Sequence, residues 1–168
     1  RTIYHNIRTA CEDPENRSAR EAMMLAATQG GIAFSNASVT LIHGMSRPMG
    51  AMFHIPHGLS NAMLLPVVTA WSVDENQDRY ANCARIMGMC DDTKDDKQAV
   101  DTLVRELKAL NRDLSVPNPA QYGIKESTWF DSLEIMAEQA LVSGSPANNP
   151  KIPSSDEIMD LYKQVWAA

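Results

Sequence analysis

Apolar residues along this chain recur three and four positions apart, and nowhere do they alternate with polar ones for the length of a strand. The clearest stripe is Val100, Leu103, Val104, Leu107 and Leu110, one face of a helix whose start is marked by Thr93-Lys94-Asp95-Asp96. The same spacing predicts a first helix ending near Cys11, where Glu12-Asp13-Pro14-Glu15-Asn16 breaks it. A long second helix is expected from about Ser18 towards Met45, stopped by Arg47-Pro48 and followed by a loop to Pro56. Further helices are expected over His57 to Thr69, with Leu59, Ala62, Met63 and Val67 or Val68 inward, and over Asp74 to Met89. Pro117-Asn118-Pro119 closes the striped helix, and another runs from about Glu126 to Leu141. After a loop from Ser143 to Pro153, Ser154-Ser155-Asp156-Glu157 caps a last helix that turns Ile158, Leu161, Tyr162 and Val165 to the core. The pattern predicts an all-α fold, a bundle of about six to eight helices over residues 1–168.

Between Ala22 and Ser46 there is no charged residue, a run long enough to cross a bilayer. Thr28, Gln29, Ser35, Asn36, Ser38, Thr40 and His43 interrupt it, and unpaired polar groups in lipid cost several kcal/mol each. The run therefore reads as a helix buried at the centre of a helical domain. Gly30-Gly31 inside it costs about 1 kcal/mol per glycine, which is expected to reflect a close approach by another helix or by the site itself. A net charge of -6 argues against nucleic-acid and anionic-membrane partners. Cys11, Cys83 and Cys90 show no CxxC spacing and no even-numbered framework, so they read as buried thiols in a reducing, cytoplasmic setting. No targeting segment is visible. Arg1 to Arg8 reads as mid-helix, with Ile3 and Ile7 on one face, and the chain is expected to be a fragment of something longer.

Closely spaced glycines of the GxGxxG, P-loop or GxSxG type are absent, so the chain carries no recognisable nucleotide-binding unit of its own. Three of the four histidines instead fall between His43 and Gly58. Neutral imidazole is the commonest protein ligand for transition metals. His43 and His57 are 14 residues apart with a turn between them, so both can reach one ion. His54, three residues before His57, can share the site if that turn is tight. The spacing equally admits His57 as an ordinary helix-start residue and His54 as a surface imidazole. Two ligands do not hold a catalytic ion, since such sites provide three or four protein groups.

Three stretches carry a resemblance: Gly31-Ile32-Ala33-Phe34-Ser35-Asn36, then His43-Gly44-Met45-Ser46-Arg47-Pro48-Met49-Gly50, then His54-Ile55-Pro56-His57-Gly58-Leu59-Ser60-Asn61-Ala62-Met63-Leu64-Leu65-Pro66. Together they resemble the iron-dependent (group III) alcohol dehydrogenases, and Arg79-Tyr80-Ala81 and Asn149-Pro150-Lys151 extend the similarity over essentially the whole chain. The resemblance implies the all-helical C-terminal, metal-binding domain of a two-domain dehydrogenase that acts on small alcohols, aldehydes or ketones. NAD or NADP is then held by an N-terminal nucleotide-binding domain that this chain lacks. It also implies a divalent metal, iron or else zinc, held by an Asp and three His, with His43 and His57 as the last two ligands. The Asp and the first His belong upstream of Arg1, so these 168 residues alone are not expected to turn over substrate. A homo-oligomer is implied as well.

Where many members carry a further histidine, this chain has Arg47, a permanent cation that cannot shuttle a proton at neutral pH. Arg47 is either a holder of a carboxylate or phosphate at the catalytic site, or a helix C-terminal cation facing the dipole. Phe34, His54 and Ser145 match walls of the family's substrate pocket, although an aromatic such as Phe34 on a buried helix equally serves as core. Two other readings stand beside this one. The first is a related metal-dependent glycerol dehydrogenase or dehydroquinate synthase-like enzyme; the second is a non-catalytic helical binding module.

Overall fold

The computed structural model describes residues 1–168 and is helical throughout, with no strand. Its helices are α1 (Thr2–Glu12), α2 (Arg17–Ala37), α3 (Leu41–Phe53), α4 (His57–Ser72), α5 (Gln77–Met87), α6 (Asp96–Asp113), α7 (Glu126–Asp131), α8 (Leu133–Val142) and α9 (Ser155–Trp166). Short 3-10 turns at Val73–Asn76 and Ser145–Asn148 join some of them. No helix is long and apolar enough to cross a membrane. The chain forms two compact units, Arg1–Ser38 with Asn76–Leu114, and Val39–Glu75 with Ser115–Ala168.

In the first unit α1 packs on α2 and α5, and α5 on α6. The stripe of α6 buries Val100, Leu103 and Leu107 and leaves Val104 and Leu110 half-buried. The cap of α6 is Asp95, whose carboxylate accepts from the Gln98 N–H at 2.8 Å. Tyr4 donates to Glu106 Oε2 at 3.0 Å, and Arg8 pairs with Asp113 at 2.8 Å, so polar contacts add to small buried residues such as Ala81, Ala84 and Ala99.

Several expectations fail here. The charge-free run is not one buried helix. It breaks at Ser38, whose φ of 72° is left-handed, and everything from Met24 to Ala37 except Ala26 and the half-buried Gly31 is exposed. Met24 is 74% exposed and Phe34 56%, so Phe34 is not core. A Cβ at Gly30 or Gly31 would meet nothing within 4 Å, so these glycines mark no close approach. The thiols are not buried either: Cys11 and Cys83 are exposed, and Cys90, beyond the end of α5, is half-buried. Only the part of the run beyond Ser38, in the second unit, is enclosed.

The second unit holds the larger core. Leu41, Met45 and Met49 recur every four residues on α3 and are wholly buried with Leu64 and Val68 of α4, Met136 of α8, and Ile158, Leu161, Tyr162 and Val165 of α9. This packing explains why α3 passes through Pro48 instead of stopping there. A proline inside a helix costs about 3 kcal/mol, while each fully buried Leu or Met returns roughly 1.5–3 kcal/mol, and three of them share this face. The helix predicted from Glu126 to Leu141 is divided at Ser132, whose hydroxyl donates to the Thr128 carbonyl at 2.7 Å and competes with the helical ladder. The last helix starts with a complete capping box between Ser154 and Glu157.

Tyr162 ties α9 to α3. Its hydroxyl donates to the Met45 carbonyl at 2.7 Å, and burial pushes its phenol well above the ordinary tyrosine value. A raised value means that the fold favours the protonated form. The stabilisation is complete below the unfolded value of about 10 and is lost as pH rises above it. The unfolding free energy is expected to fall from about pH 10 upward, and to fall less steeply in Tyr162→Phe, which at neutral pH costs about 1 kcal/mol. Equal slopes in an alkaline denaturation series would remove Tyr162 from this account.

Candidate metal centre

His43 sits in the first turn of α3 and His57 is the first residue of α4. Because α3 begins afresh after Ser38, His43 lies at a helix start and not near the end of a long helix. After Phe53 the chain reverses through His54, whose φ is 55° and whose N–H bonds the Gly50 carbonyl at 3.0 Å. Ile55 is buried, and Pro56 leads directly into α4, which delivers His57 back to His43.

The two imidazoles stand 5.2 Å apart between ring centroids, with planes at 58°. Metal–nitrogen bonds of about 2.0–2.1 Å at right-angled to tetrahedral geometry would place two ring centres roughly 4.5–5.2 Å apart. The pair fits a shared ion on that measure. Its charge state fits too. Burial, then repulsion from His57 and from Arg47, lowers the His43 imidazole below its ordinary value, so it is neutral and ready to ligate at neutral pH. No third His, Cys, Asp or Glu joins the pair.

Two neighbours outside the predicted residues touch the pair. Ser46 Oγ lies 3.4 Å from His57 Nδ1 and donates to the His43 carbonyl at 3.2 Å. Asn61 Nδ2 lies 3.0 Å from His57 Nε2. Both follow a histidine by three or four residues, the spacing of neighbours on one helix face, and that spacing was the available signal.

Gly44, beside His43, is where α3 meets the 3-10 turn. A Cβ there would lie 3.0 Å from two ring carbons of Pro146 and 3.4 Å from the Ala140 carbonyl. Gly44→Ala is expected to destabilise by about 1–2 kcal/mol, because a proline ring and a backbone oxygen yield little and overpacking outweighs the better helix propensity of alanine. An unchanged denaturant midpoint in that variant would contradict the close approach.

The remaining predicted residues divide. Arg47 is exposed on α3, one turn from His43, and joins none of the ion pairs. Since α3 continues to Phe53, Arg47 is not at a helix end, and its dipole role falls away. Ser145 is buried at the start of the 3-10 turn, beside the Pro146 that packs on Gly44. The His54 side chain is exposed, and its carbonyl accepts from the Tyr122 hydroxyl at 3.2 Å. Phe34 lies on the exposed part of α2 in the first unit. An open groove of about 750 Å³ at the α1–α2 turn, lined by Pro14, Arg17, Arg20, Glu21, Met23 and Met24 among others, includes no histidine.

Residues 1–166 match the family model described as the Fe-containing alcohol dehydrogenase family, C-terminal. The chain belongs to the iron-containing alcohol dehydrogenases. It is 32% identical over 152 residues to the NADPH-dependent butanol dehydrogenase of Clostridium saccharobutylicum, covering 90% of this chain and 39% of that protein. It is 31% identical over 167 residues to the 1,3-propanediol dehydrogenase of Citrobacter freundii, covering 99% and 42%. Among solved structures, the iron-containing alcohol dehydrogenase from Thermococcus thioreducens matches at a TM-score of 0.85 and 33% identity, covering 99% of this chain and 42% of that one. The chain spans about two fifths of the length of these relatives.

Proposed function

We propose that this chain is the metal-binding helical domain, residues 1–168, of an NAD(P)-linked iron-type alcohol dehydrogenase that interconverts small alcohols with aldehydes or ketones. The observation that carries this reading is the imidazole pair His43–His57 at 5.2 Å. Each would give one nitrogen to a divalent metal, iron first and zinc as the alternative, since imidazole suits both. An Asp and a His from the rest of the polypeptide complete the set, and a nucleotide-binding domain there holds NAD or NADP. When bound, the ion supplies Lewis acidity toward the substrate oxygen while hydride passes to or from the nicotinamide.

This chain's own residues hold and orient. His43 and His57 act as neutral ligands and carry no transferred proton. Arg47 keeps a permanent charge one turn from His43, so it anchors an oxyanion, a carboxylate or a phosphate, and does not relay protons. Ser145 and His54 belong to the second unit with the pair and form walls of the substrate pocket; Phe34 enters on the family resemblance alone. A cytoplasmic homo-oligomer is the setting this reading implies.

The test uses the intact protein loaded with Fe(II) or Zn(II) without oxygen. It follows NAD(P)H absorbance over a panel of short alcohols, aldehydes and their carboxylated analogues. Turnover is expected to vanish on chelation and return with metal, and activity that survives complete metal removal would sink the proposal. In the same panel Arg47→Gln is expected to lose about tenfold or more of any preference for carboxylated substrates, the value of a charge-assisted hydrogen bond. Unchanged selectivity would leave Arg47 outside the pocket.

A further inference from the structure

Ser46 touches both candidate ligands at once. It is 1% exposed, so each of its polar contacts matters. A hydroxyl has one hydrogen and two lone pairs. The hydrogen goes to the His43 carbonyl at 3.2 Å, the shorter of the two contacts, which leaves a lone pair facing His57 Nδ1 at 3.4 Å. A nitrogen that faces a lone pair carries the proton. On the opposite side of the ring Asn61 Nδ2 lies 3.0 Å from His57 Nε2, an orientation of the amide that fits the same tautomer.

We propose that Ser46 is a positioning residue that clamps His57 as the Nδ1–H tautomer and so keeps the Nε2 lone pair available to a divalent metal. Solution histidine favours the other tautomer, with the proton on Nε2, so the protein has to impose this one. Ser46 and Asn61 contribute unequally. The Asn61 Oδ1 is buried with no partner, so that amide has no second anchor and can turn aside when Nε2 is wanted. Ser46 is anchored through the His43 carbonyl and cannot. One serine thereby links the backbone of one ligand to the ring of the other, and binds α3 to the first turn of α4 at the place where both imidazoles project. Ligating histidines commonly hold their ring orientation by donating the second N–H to an oxygen, and losing such a partner weakens metal binding by roughly tenfold to a hundredfold. The consequence for metal binding rests on the reading of His43 and His57 as ligands; the hydrogen bonds themselves do not.

The test reads tautomer and metal affinity separately, on the intact protein. Long-range proton–nitrogen spectra of the histidines, recorded without metal at about pH 8, above the ordinary histidine range, show which nitrogen of His57 is protonated. His57→Gln assigns the signal. The expected result is the Nδ1–H form in the unmodified protein, a mixture gaining Nε2–H in Ser46→Ala, and about tenfold to a hundredfold weaker Zn(II) or Fe(II) binding in that variant. Ser46→Thr keeps the hydroxyl and is expected to retain both properties. Finding His57 protonated on Nε2 in the unmodified protein overturns the clamp, and this needs no variant to fold. Equal losses of affinity in Ser46→Ala and Ser46→Thr, with the tautomer unchanged in both, also overturn it by assigning the effect to packing. An Nδ1–H tautomer that is lost in Ser46→Ala, in a protein that takes up no metal, upholds the clamp and overturns instead the ligand reading under Proposed function.

Discussion

Replacing His57 by alanine in the intact protein is expected to remove the bound metal and to lower alcohol oxidation by at least about a hundredfold. The size follows from the chemistry. A metal acting as a Lewis acid is worth several kcal/mol at the transition state, and each 1.36 kcal/mol is a factor of ten in rate. The fold should scarcely notice, because the His57 side chain is exposed and such substitutions usually stay within about 0.5 kcal/mol. His43→Ala is expected to behave alike, and the burial and like-charge repulsion that lower its imidazole show that it adds little to stability as a charged group. The double variant should lose little beyond either single one, since a site that has lost one ligand no longer works as a unit. Metal stoichiometry by elemental analysis, steady-state rates and a thermal midpoint together make the measurement. Full metal content and full rate in either single variant would end the assignment; loss of both with a collapsed midpoint would trace the effect to folding.

Why the sequence reached this pair but not its surroundings has a physical explanation. Histidine spacing, the capping box at Ser154 and Glu157, and the α6 stripe are local signals, and each is met in the structure at the residues that carry it. Pro48 is a local signal that the tertiary structure overrides, because Leu41, Met45 and Met49 bury one face of α3 on both sides of it. The break at Ser38 was hidden by the opposite problem. An uncharged run gives no punctuation, so an exposed α2 and an enclosed α3 read as one buried helix. Ser46 and Asn61 took on meaning only once the turn through His54 had set the His57 ring between them. Arg47 moved the other way: placing it inside α3 removes its role at a helix end.

Trp129→Ala is expected to cost about 3–5 kcal/mol, the range for emptying an aromatic site in a packed core. Trp129, on α7, is wholly buried and is the ring on which three others converge: Phe53 at 5.4 Å, Tyr162 at 5.8 Å and Trp166 at 5.9 Å. These partners come from the last residue of α3 and from α9, so one side chain joins the helix that carries His43 to the helix whose Tyr162 bonds the Met45 carbonyl. The three aromatic partners are themselves held on α3 and α9, which limits how far the cavity can collapse and places the cost in that range. A loss of this size is a large share of the roughly 5–15 kcal/mol that holds a domain folded, and it should lower metal retention at growth temperature without any change to the ligands. Trp129→Phe separates size from polarity. The Trp129 Nε1–H is buried without a partner, an arrangement that costs about 1–3 kcal/mol, so removing it offsets part of the lost volume. The phenylalanine variant should therefore lose less than half of what the alanine variant loses. Urea midpoints followed by circular dichroism decide the matter; equal losses in the two variants would mean that the indole N–H is satisfied after all, and no loss in either would mean that α7 does not hold α3 to α9.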